Sequence, residues 1–206
     1  SQIGHEPAMI LANTYRLDAF SLSFKILLLI GALLVLLMGA SYEAKGELLY
    51  RGEFYYLLMS ALLGAMMMAS SADLITLFVG LELLSISSYI LAGTRKKSTQ
   101  SNEAAMKYVV NGGISSAFTL FGLSYIYGLT GSTNLADISR EISNIAPENG
   151  LVLLSIAFIL TFVGLAFKIS TVPFQMWAPD VYQGAPIPVT AFLSVVSKTA
   201  GFVIIL

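Results

Sequence analysis

LVLLSIAFILTFVGLAFK, residues 151 to 168, reads as a bilayer span up to its last residue, which is a lysine. An apolar run of this length covers a hydrocarbon core of roughly 30 Å. A charge buried in that core costs about 2.5–3.5 kcal/mol on insertion scales, so such residues line an ion pathway and have a partner. Working outward, two more stretches repeat the pattern. IPVTAFLSVVSKTAGFVIIL, residues 187–206, carries Lys198 in its middle, and DLITLFVGLELLSISSYIL, residues 73–91, carries Glu82 at its centre. Three charges inside three spans point to movement of protons or cations.

The composition supports that reading. Of 206 residues 56% are hydrophobic and 11% charged, with a mean hydropathy of +0.80. A soluble domain has about 25% charged residues, so this is a membrane protein. The formal net charge of −1 excludes a nucleic-acid partner and a polybasic lipid anchor. The chain has no cysteine, which excludes disulfides, iron–sulfur ligation and thiol chemistry on this polypeptide. One histidine, His5, cannot supply a metal cluster. The sequence starts without methionine and stops at Leu206 within an apolar run, so it is expected to be an internal piece of a longer subunit.

A window of about 19 residues finds six spans: 21–40, 54–71, 73–93, 105–129, 151–172 and 187–206. The joints are polar or rich in Pro and Gly, the unusual one being PFQMWAPDVYQGAPIP, residues 173–188. With alternating spans, one set of loops holds Lys45, Arg51, Arg95, Lys96 and Lys97 and the other Arg16 and Arg140. The positive-inside bias makes the first set cytoplasmic, so the chain enters from outside, although Lys25 near the outer end weakens the contrast. The segment TNLADISREISNI has Leu135, Ile138, Ile142 and Ile145 on one helical face. It reads either as a short surface helix or as a plain loop.

Each charge has a bland alternative. Glu82 is too central to snorkel, and Ser85 and Tyr89 continue its face at i+3 and i+7; a protonated carboxyl bonded to a neighbouring helix would explain it as well. Lys198 shares a face with Thr190, Ser194, Ser197 and Gly201. Burial disfavours a charged lysine and a nearby carboxylate favours it, so a carboxylate contact that forms and breaks would switch its proton. A static ion pair is the competing reading. Lys168 is read as lying toward the cytoplasmic end of its span, where snorkelling competes. Against that, Pro173 breaks the helix just beyond it and frees carbonyls near the lysine, and transporters put ion sites at such breaks. Lys107 is either an interfacial anchor or, with Glu103 one turn earlier, part of a cytoplasmic mouth. Asn111, Gly112, Gly113, Ser115 and Ser116 read as close helix packing, and Met66, Met67 and Met68 as lipid-facing residues or core filler.

The run VPFQMWAPDVYQGAPIPVTAFLSVVSKTAGF resembles the subunit N (subunit 2) family of NADH-quinone oxidoreductases, the antiporter-like membrane subunits of complex I. DLITLFVGLELLSISSYIL, EAAMKYVVNGGISSAFTLFG and DAFSLSFK extend the likeness over nearly the whole chain. The resemblance implies an all-α membrane fold, the first half of an inverted-repeat antiporter-like architecture with one broken helix. Residues 1–53 would then be an outer segment, one transmembrane helix and a cytoplasmic loop, and 54–206 the first five-helix repeat. It also implies that Glu82, Lys168, Lys198 and Lys107 carry proton translocation, in a bacterial plasma membrane or an organellar one. No cofactor is expected on this chain; NADH, FMN, iron–sulfur clusters and quinone would sit on other subunits or interfaces. The expected partners are the other membrane subunits of complex I, the lipid bilayer and protons. Gln175 stands where relatives often have histidine, and since glutamine cannot titrate, a relay there would use its amide or a water. A multisubunit sodium/proton antiporter is the runner-up, and a helix-fastening scaffold the third reading.

Overall fold

Helices fill this computed structural model, which describes residues 8–44, 51–143 and 150–206. His5, Lys45 and Ile145 lie outside these. A short hairpin, β1 (Ala8–Ile10) and β2 (Tyr15–Leu17), pairs antiparallel and leads into α1 (Ala19–Ala44). Then come α2 (Arg51–Ser70), α3 (Leu74–Ala92), α4 (Thr99–Thr130), α5 (Leu135–Ile142) and α6 (Gly150–Ile169). After a break the chain forms α7 (Trp177–Gly184), α8 (Ile187–Phe192), one π-wound turn (Leu193–Ser197) and α9 (Lys198–Ile205). Among the described residues six stretches are long and apolar enough to cross a membrane, as expected: α1, α2, α3, α4, α6 and the unit from α8 to α9.

Local chemistry fixes the helix ends. Asp73 caps α3 by accepting from the Ile75 and Thr76 amides, and Ser98 caps α4 by accepting from the Ser101 amide. Gly131 closes α4 at a φ of 69°, a left-handed conformation that suits a residue without Cβ. The alternation of spans is visible in the loops. At one end the hairpin meets the α2–α3 joint (Ala72 N to Thr14 O, 2.9 Å), which in turn meets the α5 entrance (Leu135 N to Ala72 O, 3.0 Å). At the opposite end Lys96 pairs with Glu53 and Arg95 sits over the Tyr42 ring.

α2 lies against α3, and α4 against α6, at distances that only small residues permit. A Cβ at Gly64 would stand 2.5 Å from the Leu84 amide nitrogen, and one at Gly122 would stand 2.6 Å from the Thr161 nitrogen and 2.7 Å from the Ala157 carbonyl. Phe54, Leu58, Leu84, Leu91, Phe192 and Leu193 form the centre of the buried cluster. Met68 belongs to that cluster and Met66 packs on its edge, so this part of the methionine run is core filler. The 135–142 segment is a helix capped by Asn134, with Ile138 buried against Leu74, Leu123, Ile126 and Ala157, and Leu135 exposed. Leu27, Ile30, Leu33, Leu34 and Leu37 leave α1 with an exposed apolar face, as a span bordered by hydrocarbon or another subunit requires.

The stretch 173–188 is not simply a joint. It contains α7, which resumes the course of α6 alongside α4. α4 has 32 residues and is roughly 48 Å long, and α6 covers its second half: a Cβ on Gly164 would meet Thr119 and the Ser115 carbonyl. α7 covers the first half, where Trp177 stacks on Tyr108 and Gly184 abuts Gln100 and Ala104. Lys168 therefore lies level with the middle of α4. It stands in the last turn of its helix, as expected, but that end is buried and is not a surface to which it could snorkel. A hydropathy window closes at the break, whereas the fold carries the chain on past it.

Candidate functional site

Residues on five helices meet around the break. Glu82, at the centre of α3, is half-buried, and its carboxylate accepts from the Ser116 hydroxyl of α4. One turn further along α3, the Ser85 hydroxyl accepts from the Lys168 Nζ at 3.0 Å. Lys168 is only 3% exposed, so it has no route by which to snorkel. Among the described residues no carboxylate stands within 4 Å of it, and Ser85 separates it from Glu82 as a neutral spacer. The Glu82 charge still acts on the lysine through space. Tyr89, the third residue of the predicted polar face, brings its hydroxyl near Ser85 and Ser116.

The break explains how Lys168 is held. Ser170 turns out of α6 at a φ of 59°. The Ala166 carbonyl takes the Thr171 amide at 3.0 Å, and the Phe167 carbonyl takes the Ser170 amide at 3.1 Å and the Trp177 indole N–H at 3.0 Å. The two carbonyls just before the lysine are thus occupied by the turn itself. Beside the turn is a groove of about 180 Å³ bordered by Asn111, Ser115, Phe167, Pro173 and Trp177. At about 30 Å³ per water this holds several molecules.

Lys198 follows the π turn and is half-buried. Its ammonium lies 5.8 Å from the centroid of the Tyr182 ring, within cation–π range. The helix carrying it touches Lys168: a Cβ at Gly201 would stand 3.5 Å from the Lys168 Cγ. Lys107 is exposed and bonds two carboxylates, Glu103 Oε1 at 2.8 Å as the helical spacing predicts and Asp180 Oδ2 of α7 at 2.6 Å. Gln175 lies in the turn with its side-chain oxygen buried and no protein donor within hydrogen-bonding range.

Sequence reasoning missed Ser116, Asp180, Tyr108 and Tyr182. Ser116 was grouped with residues that pack helices closely, and Gly112 does so by abutting Tyr89, yet Ser116 binds Glu82 and Ser115 borders the groove. The available signal was stoichiometric: a buried carboxylate needs a donor, and α4 offers hydroxyls at its midpoint. Asp180 gave a weaker one, as an acid inside an otherwise apolar run.

Residues 71–206 match the family described as NADH:quinone oxidoreductase/Mrp antiporter, TM. A relative from Anoxybacillus flavithermus, named NADH-quinone oxidoreductase subunit N, is 66% identical over 197 residues, 96% of this chain and 39% of that protein. One of the same name from Bacillus anthracis is 59% identical over 202 residues, 98% of this chain and 40% of its own length. The chain thus spans about two fifths of the length of the curated relatives it matches. Among solved structures, Thermus thermophilus respiratory complex I with bound aureothin contains a chain with a TM-score of 0.79 and 37% identity, covering 97% of this chain and 42% of that one. A chain of the membrane-bound sulfane sulfur reductase, an archaeal respiratory membrane complex, gives 0.78 and 33%, covering 91% and 37%.

Proposed function

The chain belongs to the NADH:quinone oxidoreductase/Mrp antiporter transmembrane family, as a multi-pass bacterial membrane protein with an antiporter-like helical fold, and from that premise we propose that it forms the first proton half-channel of a complex I subunit N. The stretch 54–206 acts as the first five-helix repeat. Protons enter from the cytoplasmic side, where Glu103, Lys107 and Asp180 lie, and reach Lys168 through water beside the 170–176 break. Lys168 and Lys198 exchange the proton, and Glu82 sets which lysine holds it by moving toward or away from Lys168. Energy arrives from electron transfer elsewhere in the complex. Electron carriers and quinone belong to other subunits or interfaces, and the other membrane subunits and the bilayer are this chain's neighbours.

The observation that carries the reading is the state of Lys168. It is almost wholly buried at mid-depth, beside a helix break, and held by a single hydroxyl one turn from Glu82. A fastening charge would be locked to a carboxylate, because burying an ion without its counter-ion costs several kcal/mol. A lysine that loads and unloads a proton is better served by a neutral partner. Relatives at 59% and 66% identity named as subunit N favour the oxidoreductase over a sodium/proton antiporter of the same family.

The test is Glu82→Gln and Lys198→Ala in the full-length subunit, assembled in its complex in inverted membrane vesicles. Proton uptake per NADH should fall several-fold while the complex still assembles. Normal uptake in both variants would remove these residues from the pathway. Loss of assembly would favour the scaffold, and sodium-dependent exchange without NADH the antiporter.

A further inference from the structure

The proposed pathway has a gap. Lys168 donates to Ser85 of α3, and Lys198 faces Tyr182 of α7, so no protein bond joins the two lysines. A line of aromatic residues runs from Tyr89, on the helix of Glu82 and Ser85, to Tyr182, the ring that Lys198 faces. The Tyr108 ring is edge-on to Tyr89 at 4.6 Å and stacked on Trp177 at 4.4 Å, and Trp177 meets Tyr182 at 6.0 Å. Tyr108 is 0% exposed, and its hydroxyl and that of Tyr182 are both buried with no protein partner within hydrogen-bonding range. A buried hydroxyl that bonds nothing is costly, and a phenylalanine in its place would keep the ring contacts without that cost. Native interiors satisfy such groups with water. Two of them in succession, between the Glu82 side and Lys198, suit a conduit better than they suit packing.

We propose that the Tyr108 and Tyr182 hydroxyls, bridged by internal water, are the neutral link through which a proton passes between the Ser85–Lys168 end of the site and Lys198. In each step a phenol oxygen accepts a proton on a lone pair as its own O–H proton leaves to the next acceptor. Rotation about the C–O bond then restores the starting orientation. One proton enters, one leaves, and no tyrosinate forms. Both tyrosines are proton relays between the lysines, and the inference rests on the proton-channel reading above.

The experiment uses the full-length subunit in its assembled complex, reconstituted in liposomes, with Tyr108→Phe, Tyr182→Phe and Tyr108→Leu compared with Lys198→Ala. Proton uptake per NADH is measured beside uncoupled NADH:quinone reduction. Both Phe variants should assemble, reduce quinone at the parental rate and lose at least three-fold in uptake. Parental uptake in both Phe variants, with loss only in Tyr108→Leu, would show that the ring and not the hydroxyl matters and would overturn the link. If Lys198→Ala also pumps normally, the channel reading itself falls; if it alone fails, the channel stands without this link.

Discussion

Replacing Lys168 by methionine separates a working charge from a structural one. The two side chains have similar length, so the space between Ser85 and Gly201 stays filled. Removing a charge from mid-membrane returns about 2.5–3.5 kcal/mol on insertion scales. Against this stands the loss of one hydrogen bond from a charged donor, the 3.0 Å contact to Ser85, which contributes about 1.5–3 kcal/mol. Ser85 is left with its own backbone as partner, since a helical serine can bond the carbonyl four residues earlier. The difference is a stability between about 0.5 kcal/mol lower and about 2 kcal/mol higher than the parent. Proton uptake, by contrast, should collapse, because methionine carries no proton. The assay pairs reversible unfolding of the subunit in mixed micelles with uptake by the reconstituted complex. If Lys168→Met instead lowered stability by more than about 3 kcal/mol, the magnitude for breaking a buried ion pair, the lysine would be a fastener and the reasoning would fail.

Other perturbations read other parts of the site. Asp180→Asn should leave the thermal midpoint unchanged, because Lys107 keeps Glu103, but should lower uptake at low ionic strength by an amount that salt screens away; uptake against salt concentration measures it. Trp177→Phe keeps a ring on Tyr108 but takes from the Phe167 carbonyl one of its two donors, which should cost about 0.5–1.5 kcal/mol in micellar unfolding. Gly122→Ala sets a methyl against the backbone of Thr161 and Ala157, so α4 and α6 must separate. A loss of about 1–3 kcal/mol and a lower yield of assembled complex are expected, the yield being read on native gels.

Much of this was visible before folding, and the part that was not has a physical cause. Glu82, Lys168 and Lys198 stood out because a charge in an apolar run is anomalous at the level of composition. The six spans followed from length and hydropathy alone. The depth of Lys168 did not, because depth depends on what the chain does after the break. PFQMWAPDVYQGAPIP looks like a loop from its prolines, yet Pro179 occupies the first turn of α7, where the missing N–H costs nothing. The partners of the charges were hidden for a related reason. Ser116 and Tyr182 are unexceptional residue types, and only the crossing of α3 with α4, and of α7 with α9, gives them a role. The Phe167 carbonyl is hidden in the same way, because Trp177, ten residues further on, folds back to bond it.

The π-wound turn at Leu193–Ser197 has an evolutionary consequence. Such a turn fits one residue more than regular winding would, and each residue advances a helix by roughly 100°. Losing one codon in that interval would let the helix relax to ordinary winding with Lys198 still facing the Tyr182 ring, whereas a codon lost from the regular turns before it would swing everything beyond by more than a quarter of a circle. Hydropathy and net charge would hardly change. The wide turn is therefore slack in the residue count, an interval where a deletion can be absorbed without turning this ammonium away.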